Sequence, residues 1–245
     1  MSRVRLSIVV PAYNEARRLP PTLERVVAWC SAQPFACEIV VVDDGSRDGT
    51  ADVARRVLAG VEHQVLVHPA NRGKGAGLRT GMTAARGEFV LMTDADLSTP
   101  IEEASRFLGV HDSGVPVVIG TRKAPGAHVI RHQRPLRERM GRVYTWLSNV
   151  LICPGVTDFT CGFKCFRADA CRDVFSRLGE QGWAYDTEVL FLARRLGYEV
   201  REVPVSWTND PSTRVRLVRD AIGSFAGLVR IRCRSLLGRY RLPAR

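Results

Sequence analysis

The sequence predicts an α/β fold built on a mostly parallel, doubly wound sheet, and three observations carry that expectation. Apolar runs of strand length at residues 6–10, 38–42, 64–68 and 89–92 alternate with segments of helical periodicity, which is the spacing of strand-helix-strand units rather than of hairpins. Each run closes on a polar or glycine-bearing stretch, so the connections at the strand carboxyl ends share one edge and face one crevice. The chain of 245 residues is long enough to bury a sizeable core as one large domain.

Strand 6–10 runs into Pro11-Ala12-Tyr13-Asn14-Glu15, and the helix that follows puts Leu23, Val26, Val27 and Cys30 on one side. Strand 38–42 closes on Asp43-Asp44-Gly45-Ser46, after which Asp48-Gly49-Thr50 supplies turn and capping chemistry for the next helix. Strand 64–68 leads to Gly73-Lys74-Gly75-Ala76-Gly77, where a glycine backbone can approach an anion at a helix N-terminus. A plain flexible turn uses the same residues, and neither a Walker A loop nor a dinucleotide fingerprint is present.

Strand 89–92, apolar on both faces, stops abruptly before Asp94 and Asp96. A helix over 101–108 and a strand over 115–120 follow, the strand ending at Thr121-Arg122. The regular alternation then breaks. Residues 134–153 carry Leu136, Met140, Val143, Tyr144, Leu147, Val150 and Leu151 at helical spacing, with Arg134, Arg137, Glu138 and Arg142 on other faces. Such a helix either packs on the core or lies at a membrane interface, where Tyr144 and Trp146 would suit it.

Residues 158–164 are expected as a strand returning toward the crevice, followed by helix 168–178, helix 189–196 and strand 200–207. Near the C-terminus Ile222, Phe225, Val229, Cys233, Leu236, Leu237 and Tyr240 form one stripe with arginines off it. This predicts a basic amphipathic helix lying on a bilayer surface, the alternative being a helix docked on the domain. The expected organisation is therefore a domain over 1–212, the regular strand-helix units filling its first half (1–100) and the broken alternation its second (101–212), with a basic helix over 213–245.

The net charge of +11 is unevenly placed: seven Lys/Arg against one Glu over 121–142, and nine Arg against one Asp over 214–245. Two such blocks beside apolar residues point to an anionic partner. A membrane surface fits better than nucleic acid, because the arginines interleave with helical apolar stripes and no nucleic-acid motif is present. No apolar run is long enough to span a bilayer and the N-terminus lacks a signal-peptide pattern, so the expectation is a peripheral protein on the cytoplasmic face of a membrane. Seven cysteines, an odd number, fit free thiols, and Cys161 and Cys165 have no matching pair for zinc.

Asp94 and Asp96 are the chemical centre of the chain. Two hard oxygen ligands at a strand tip suit Mg²⁺ or Mn²⁺, which keep positions open for water and substrate phosphates. The same residues also suit a polar strand end before the caps Ser98 and Thr99.

Four motifs stand in order: Pro11-Ala12-Tyr13-Asn14-Glu15, Val42-Asp43-Asp44-Gly45-Ser46, Asn71-Arg72-Gly73-Lys74-Gly75 and Asp94-Ala95-Asp96. Together they resemble the inverting family-2 glycosyltransferases of GT-A fold. Asp96-Leu97-Ser98-Thr99-Pro100, Ile119-Gly120-Thr121-Arg122, Asp158 with Cys161-Gly162-Phe163-Lys164, and Glu202-Val203-Pro204-Val205 with Trp207 narrow the resemblance to dolichyl-phosphate β-glucosyltransferases, with polyprenyl-phosphate mannosyltransferases close behind.

The resemblance implies a nucleotide-diphosphate sugar donor, UDP-glucose being favoured over GDP-mannose, and a polyprenyl or dolichyl phosphate acceptor, with a family-2 enzyme using a soluble acceptor as the nearest rival. It implies a nucleotide-binding half over 1–100 and an acceptor half over 101–212, with donor binding by Pro11, Ala12, Tyr13, Glu15, Val41, Asp43, Asp44, Lys74, Asp94, Ala95 and Asp96. It further implies a metal held by Asp94, Asp96 and Ser98, Asp96 and Arg122 as catalytic residues, and Arg122, Arg137 and Arg142 on the acceptor phosphate. Asp158, Gly162, Trp183, Asp186, Glu188 and Arg214 are the candidates for the sugar and acceptor side. The mannosyl relatives often carry Gln where this chain has Ser98, and the eukaryotic glucosyl enzymes carry an N-terminal anchor, so membrane attachment is expected to rest on the two amphipathic helices.

Overall fold

The computed structural model describes residues 3–210 and 217–240, with the side chains of 217–220 left undescribed. The expected domain boundary at 212 and the candidate Arg214 lie outside the described residues.

Strands β1 (Leu6–Ala12), β2 (Cys37–Asp43), β3 (His63–Val67), β4 (Phe89–Met92), β5 (Val117–Thr121), β7 (Lys164–Arg167) and β8 (Val200–Pro204) form a seven-stranded sheet in the order β3-β2-β1-β4-β7-β5-β8. β6 (His128–Arg131) and β9 (Ser206–Thr208) pair separately as a parallel ribbon. The helices are α1 (Leu19–Ser31), α2 (Thr50–Val57), α3 (Lys74–Ala84), α4 (Ala104–Asp112), α5 (Pro135–Leu151), α6 (Ala168–Arg177), α7 (Tyr185–Arg195) and α8 (Leu217–Leu236).

Every pairing in the large sheet is parallel except those of β7, which runs antiparallel between β4 and β5. Alternate residues of β1 and β2 feed two separate cores, as strands buried on both faces require. Val9, Val40 and Val42 pack with α3, α6 and α7 on one side. Ile8, Val10 and Val41 pack with α1 and residues of α2 and α4 on the other. The carboxyl ends of β1, β2, β4 and β5 consequently lie along one rim.

Three expectations change. Residues 158–163 are not a strand; they form a loop along the rim, and the strand begins at Lys164, whose register partners are Met92 and Ile119. The expected single strand over 200–207 divides between two sheets at Val205. The expected C-terminal stripe is only partly right, because α8 is docked on the domain. Leu228 and Ile231 are buried in the core and the Phe225 ring meets that of Tyr144 at 5.9 Å, while Ile222, Val229 and Leu236 face outward. The seven cysteines are free thiols, and among the described residues no helix is long and apolar enough to cross a membrane.

Candidate active site

The rim turn after β4 is shaped by its own backbone. Leu97 takes φ 46°, the left-handed region that costs a branched side chain about 1–2 kcal/mol. Leu97 N donates to Asp94 O at 3.1 Å, and Ser98 N to Asp96 Oδ1 at 3.0 Å. The buried Leu97 side chain and a bond from Thr22 Oγ1 to Ala95 O (2.7 Å) pin the turn to α1. Both carboxylates are thereby held at the sheet edge.

Asp94 and Asp96 have opposite electrostatics. Burial works against the charge of Asp94, but Lys74 Nζ donates to its Oδ1 at 2.5 Å and holds its carboxyl below the ordinary range. Asp96 is pushed above that range by burial and by the charge of Asp94, which the hydrogen bonds of Ser98 and the nearby Arg18 only partly offset. Arg18 Nη1 stands 3.9 Å from Asp96 Oδ2 and is itself occupied by Asp210 at 2.6 Å and by Glu15 at 2.6 Å through Nη2.

Among the described residues no group of three or more His, Cys, Asp and Glu could close a metal cage. A hard, octahedral cation that takes one or two carboxylates and fills its remaining positions with water and phosphate needs none. An Asp pair that resists carrying two charges fits such a cation.

Arg122 defines the other flank. Its Nε and Nη2 donate to Asp158 at 2.7 and 2.8 Å, Nη2 also reaches Thr160 Oγ1 at 2.8 Å, and the guanidinium lies 5.1 Å from the Trp207 ring centroid. Asp158 is fully buried, and Arg122 overrides that burial to hold its carboxyl well below the ordinary range. So Asp158, expected near sugar hydroxyls, spends both oxygens on Arg122 and Thr160, leaving Nη1 of Arg122 without a hydrogen-bond partner among the described residues. Lys123 reaches Thr145 of α5 at 2.7 Å and feels the charge of Arg142, which brings the α5 flank to this side. Arg137 is half-buried on the same helix.

The glycine-rich loop is organised by Asp44, whose oxygens accept from Arg72 N and Gly73 N (2.7 Å for the latter) and share a bond with His68 Nδ1 at 2.7 Å. Asp44 thus holds the loop, and its neighbour Asp43 accepts at Oδ1 from Ser46 N at 2.9 Å. Lys74 projects between the rings of Trp183 and Tyr185, 5.5 and 5.7 Å from their centroids. Trp183 is 40% exposed, so it stands at the rim and not in the core. A Cβ on Gly162 would fall 2.2 Å from Asp94 Oδ2, so only glycine lets the rim loop lie against that carboxylate.

The other candidates divide between the core and the rim. Val41 is fully buried in a hydrophobic layer, two residues short of the rim. Glu15 spends its carboxylate on Arg18. Glu188 is fully buried, accepting from Gly179 N, Glu180 N and Tyr240 Oη. Asp186 is buried against Lys164 Nζ, which also donates to Cys161 O at 2.6 Å, and its charge is felt by Lys74 and Arg122, so it lies behind the Asp94 carboxylate. Pro11 and Ala12 end β1 beneath Tyr13, which is 41% exposed. Arg18, Lys123 and Lys164 are neighbours of the site that its sequence motifs do not assign to a role, because their partners are distant in the chain.

The family model for glycosyl transferase family 2 matches residues 7–175, from β1 into α6, which takes in the loops that carry Asp43, Lys74, Asp94, Asp96, Arg122 and Asp158. The chain belongs to that family. Dolichyl-phosphate beta-glucosyltransferase of Dictyostelium discoideum is 31% identical to this glycosyltransferase, over 100% of this chain and 79% of the relative. The human protein of the same name is 31% identical over 97% of this chain and 78% of its own length. The GT-A architecture is shared with glucosyl-3-phosphoglycerate synthase from Mycobacterium tuberculosis, solved with Mn²⁺, UDP-glucose and phosphoglyceric acid; TM-score 0.65, 20% identity, covering 98% of this chain and 81% of that one.

Proposed function

We propose that this glycosyltransferase moves glucose from UDP-glucose to a dolichyl or polyprenyl monophosphate in one inverting displacement, with Mg²⁺ or Mn²⁺ at the Asp94–Asp96 turn. The observation that carries this is an anionic turn flanked by two cations, Lys74 on one side and Arg122 on the other, each fixed by a buried or half-buried carboxylate. One flank then takes the donor diphosphate and the other the acceptor phosphate. Relatives sharing nearly the whole chain carry the dolichyl-phosphate beta-glucosyltransferase name, and a fold neighbour binds Mn²⁺ and UDP-glucose, which supports the choice of donor and acceptor.

A lipid monophosphate has its second pKa at about 6, so it arrives ionised and needs no strong general base. The work left to the protein is electrostatic. Asp94 and Asp96 would hold the cation, which supplies Lewis-acid neutralisation of charge on the leaving diphosphate. Lys74 meets that diphosphate, and the uncommitted Nη1 of Arg122 holds the acceptor phosphate in line, with Arg142 and Arg137 on the approach. Trp183 offers a ring beside the sugar. One displacement inverts an α-linked donor to a β-linked product without a covalent enzyme intermediate.

A lipid acceptor places the protein at a membrane, and the surface suits that. Of the thirteen exposed large apolar side chains among the described residues, nine lie on α5, on α8 or at Leu237 just after it. The two helices touch through Tyr144 and Phe225, and exposed arginines such as Arg139, Arg142 and Arg232 flank the apolar stripes. This is the composition of a surface that lies on anionic lipid.

The decisive experiment is transfer of labelled glucose to a short-chain prenyl phosphate. Asp96→Ala should lose at least about 10²-fold in turnover with the fold intact, the scale of removing a charge that stabilises a transition state. Normal turnover in that variant, or transfer to phosphoglycerate in preference to the prenyl phosphate, would refute the proposal.

A further inference from the structure

Residues 179–184, just before α7, contribute only Trp183 to the site described above, yet they stand between α8 and the glycine-rich loop. On one side they touch the loop backbone directly. Gly75 N donates to Gln181 O at 2.7 Å. A Cβ on Gly73 would lie 2.5 Å from Gln181 O, and one on Gly75 would lie 2.4 Å from Glu180 O and 2.9 Å from Tyr185 Cβ. Lys74, between these glycines, is flanked by Trp183 and Tyr185. The position of the loop is therefore set by the position of this segment, with no slack between them.

On the other side the segment is gripped by α8. The Glu180 carboxylate, 2% exposed, accepts from Arg230 Nε and Nη2 at 3.0 and 2.7 Å and from Arg234 Nη1 at 2.9 Å. Glu188 accepts from Gly179 N and Glu180 N at 2.9 and 2.6 Å and from Tyr240 Oη at 2.5 Å, bracing the same turn from α7. A Cβ on Gly227 would fall 2.2 Å from Ala184 Cβ, so the backbone of α8 rests on residue 184. A buried carboxylate stripped of its partners moves toward water instead of staying in place, so loss of the arginines displaces the segment.

We propose that α8 is a positioning element of the donor site: by fixing residues 179–184 through Glu180, Glu188 and the Gly227 contact, it places the Gly73–Gly75 backbone and Lys74. The inference rests on the reading of the Lys74 loop as the donor-phosphate site. Loosening α8 then weakens donor binding before it unfolds the domain, and the helix that faces the membrane also supports the phosphate loop.

Two variants of the full chain test it by independent routes. Arg230→Ala/Arg234→Ala removes the charges, and Gly227→Ala adds one methyl group that lifts the helix; Gly223→Ala on the same helix, where nothing lies within 4 Å of a Cβ, is the control. In both test variants the Gly75 amide should exchange at least about tenfold faster than in the wild type, as local opening without global unfolding. The Kd for UDP with Mn²⁺ and the KM for the donor should rise at least about fivefold, while the KM for a short-chain prenyl phosphate stays put, a split that general destabilisation does not produce. Unchanged exchange at Gly75 in both variants, or equal rises in donor and acceptor KM, would overturn the proposal. Failure of the wild type to bind any nucleotide would instead sink the donor reading, and the exchange rates would still report whether α8 supports the loop.

Discussion

Gly162→Ala isolates one contact in the proposed site. Gly162 does not occupy the left-handed region, so alanine is tolerated by the backbone and the perturbation is the methyl group alone. That carbon would lie 2.2 Å from Asp94 Oδ2, 2.7 Å from its Cγ and 2.8 Å from Oδ1. Carbon and oxygen approach to about 3.3 Å, so the carboxylate must retreat by roughly 1 Å. A shift of that size displaces the carboxylate from its 2.5 Å hydrogen bond with Lys74 and from its place beside Asp96. A misplacement of about 1 Å in a catalytic constellation costs on the order of 10²-fold in rate, equivalent to about 2.7 kcal/mol of barrier. The assay is kcat/KM for glucose transfer to a prenyl phosphate, with Gly109→Ala on α4 as control, since nothing lies within 4 Å of a Cβ there. A Gly162→Ala enzyme within about threefold of the wild type would show that Asp94 is not held where the chemistry needs it.

Other outcomes follow from the same geometry. Asp158→Asn should release Arg122 and raise the acceptor KM more than the donor KM in steady-state kinetics. Because the folded-state pKa of Asp158 lies below its ordinary value, the unfolded chain binds more protons. Its stabilising contribution is therefore complete above the ordinary value of 3.8 and lost as pH falls through the folded one. Melting temperature measured between acid and neutral pH should show a shallower acid limb in the Asn variant, and an unchanged limb would contradict the assignment. Truncation of α8 is a poor test of membrane binding, since it uncovers Leu228 and Ile231. Val229→Glu/Leu236→Glu should abolish co-sedimentation with anionic vesicles while stability, measured by denaturant, shifts by no more than about 1 kcal/mol, the scale of surface changes. UDP with Mn²⁺ at about 100 times its Kd should stabilise the fold by about 2.7 kcal/mol in thermal unfolding. Addition of EDTA should return the melting temperature to that of the free protein, and indifference to EDTA would count against the Asp94–Asp96 metal turn.

Local chemistry was legible wherever it depends on neighbours in sequence. Strand runs bounded by turn residues gave β1, β2, β3, β4 and β5 nearly in place, and the arrest of an apolar run at Asp94 and Asp96 marked the rim, because a parallel strand buried on both faces must end at a polar edge. Glu188 shows where such reasoning stopped. Its sequence neighbourhood matches that of Asp186, yet Glu188 turns into the domain and braces residues 179 and 180. Asp158 likewise has the composition of a sugar ligand and the surroundings of an arginine tether.

From the amino-acid order alone came the α/β class, the acidic and glycine-bearing loops, the basic amphipathic character of residues 134–153 and of the C-terminal stretch, and the family resemblance, since period, turn chemistry and charge are properties of short windows. Only the tertiary structure decided that β7 enters the sheet antiparallel, that its loop carries Gly162 against Asp94, and which face of α8 is buried. Those outcomes depend on which distant segments pack together, and the free energy that selects them comes from burial shared between residues far apart in the chain.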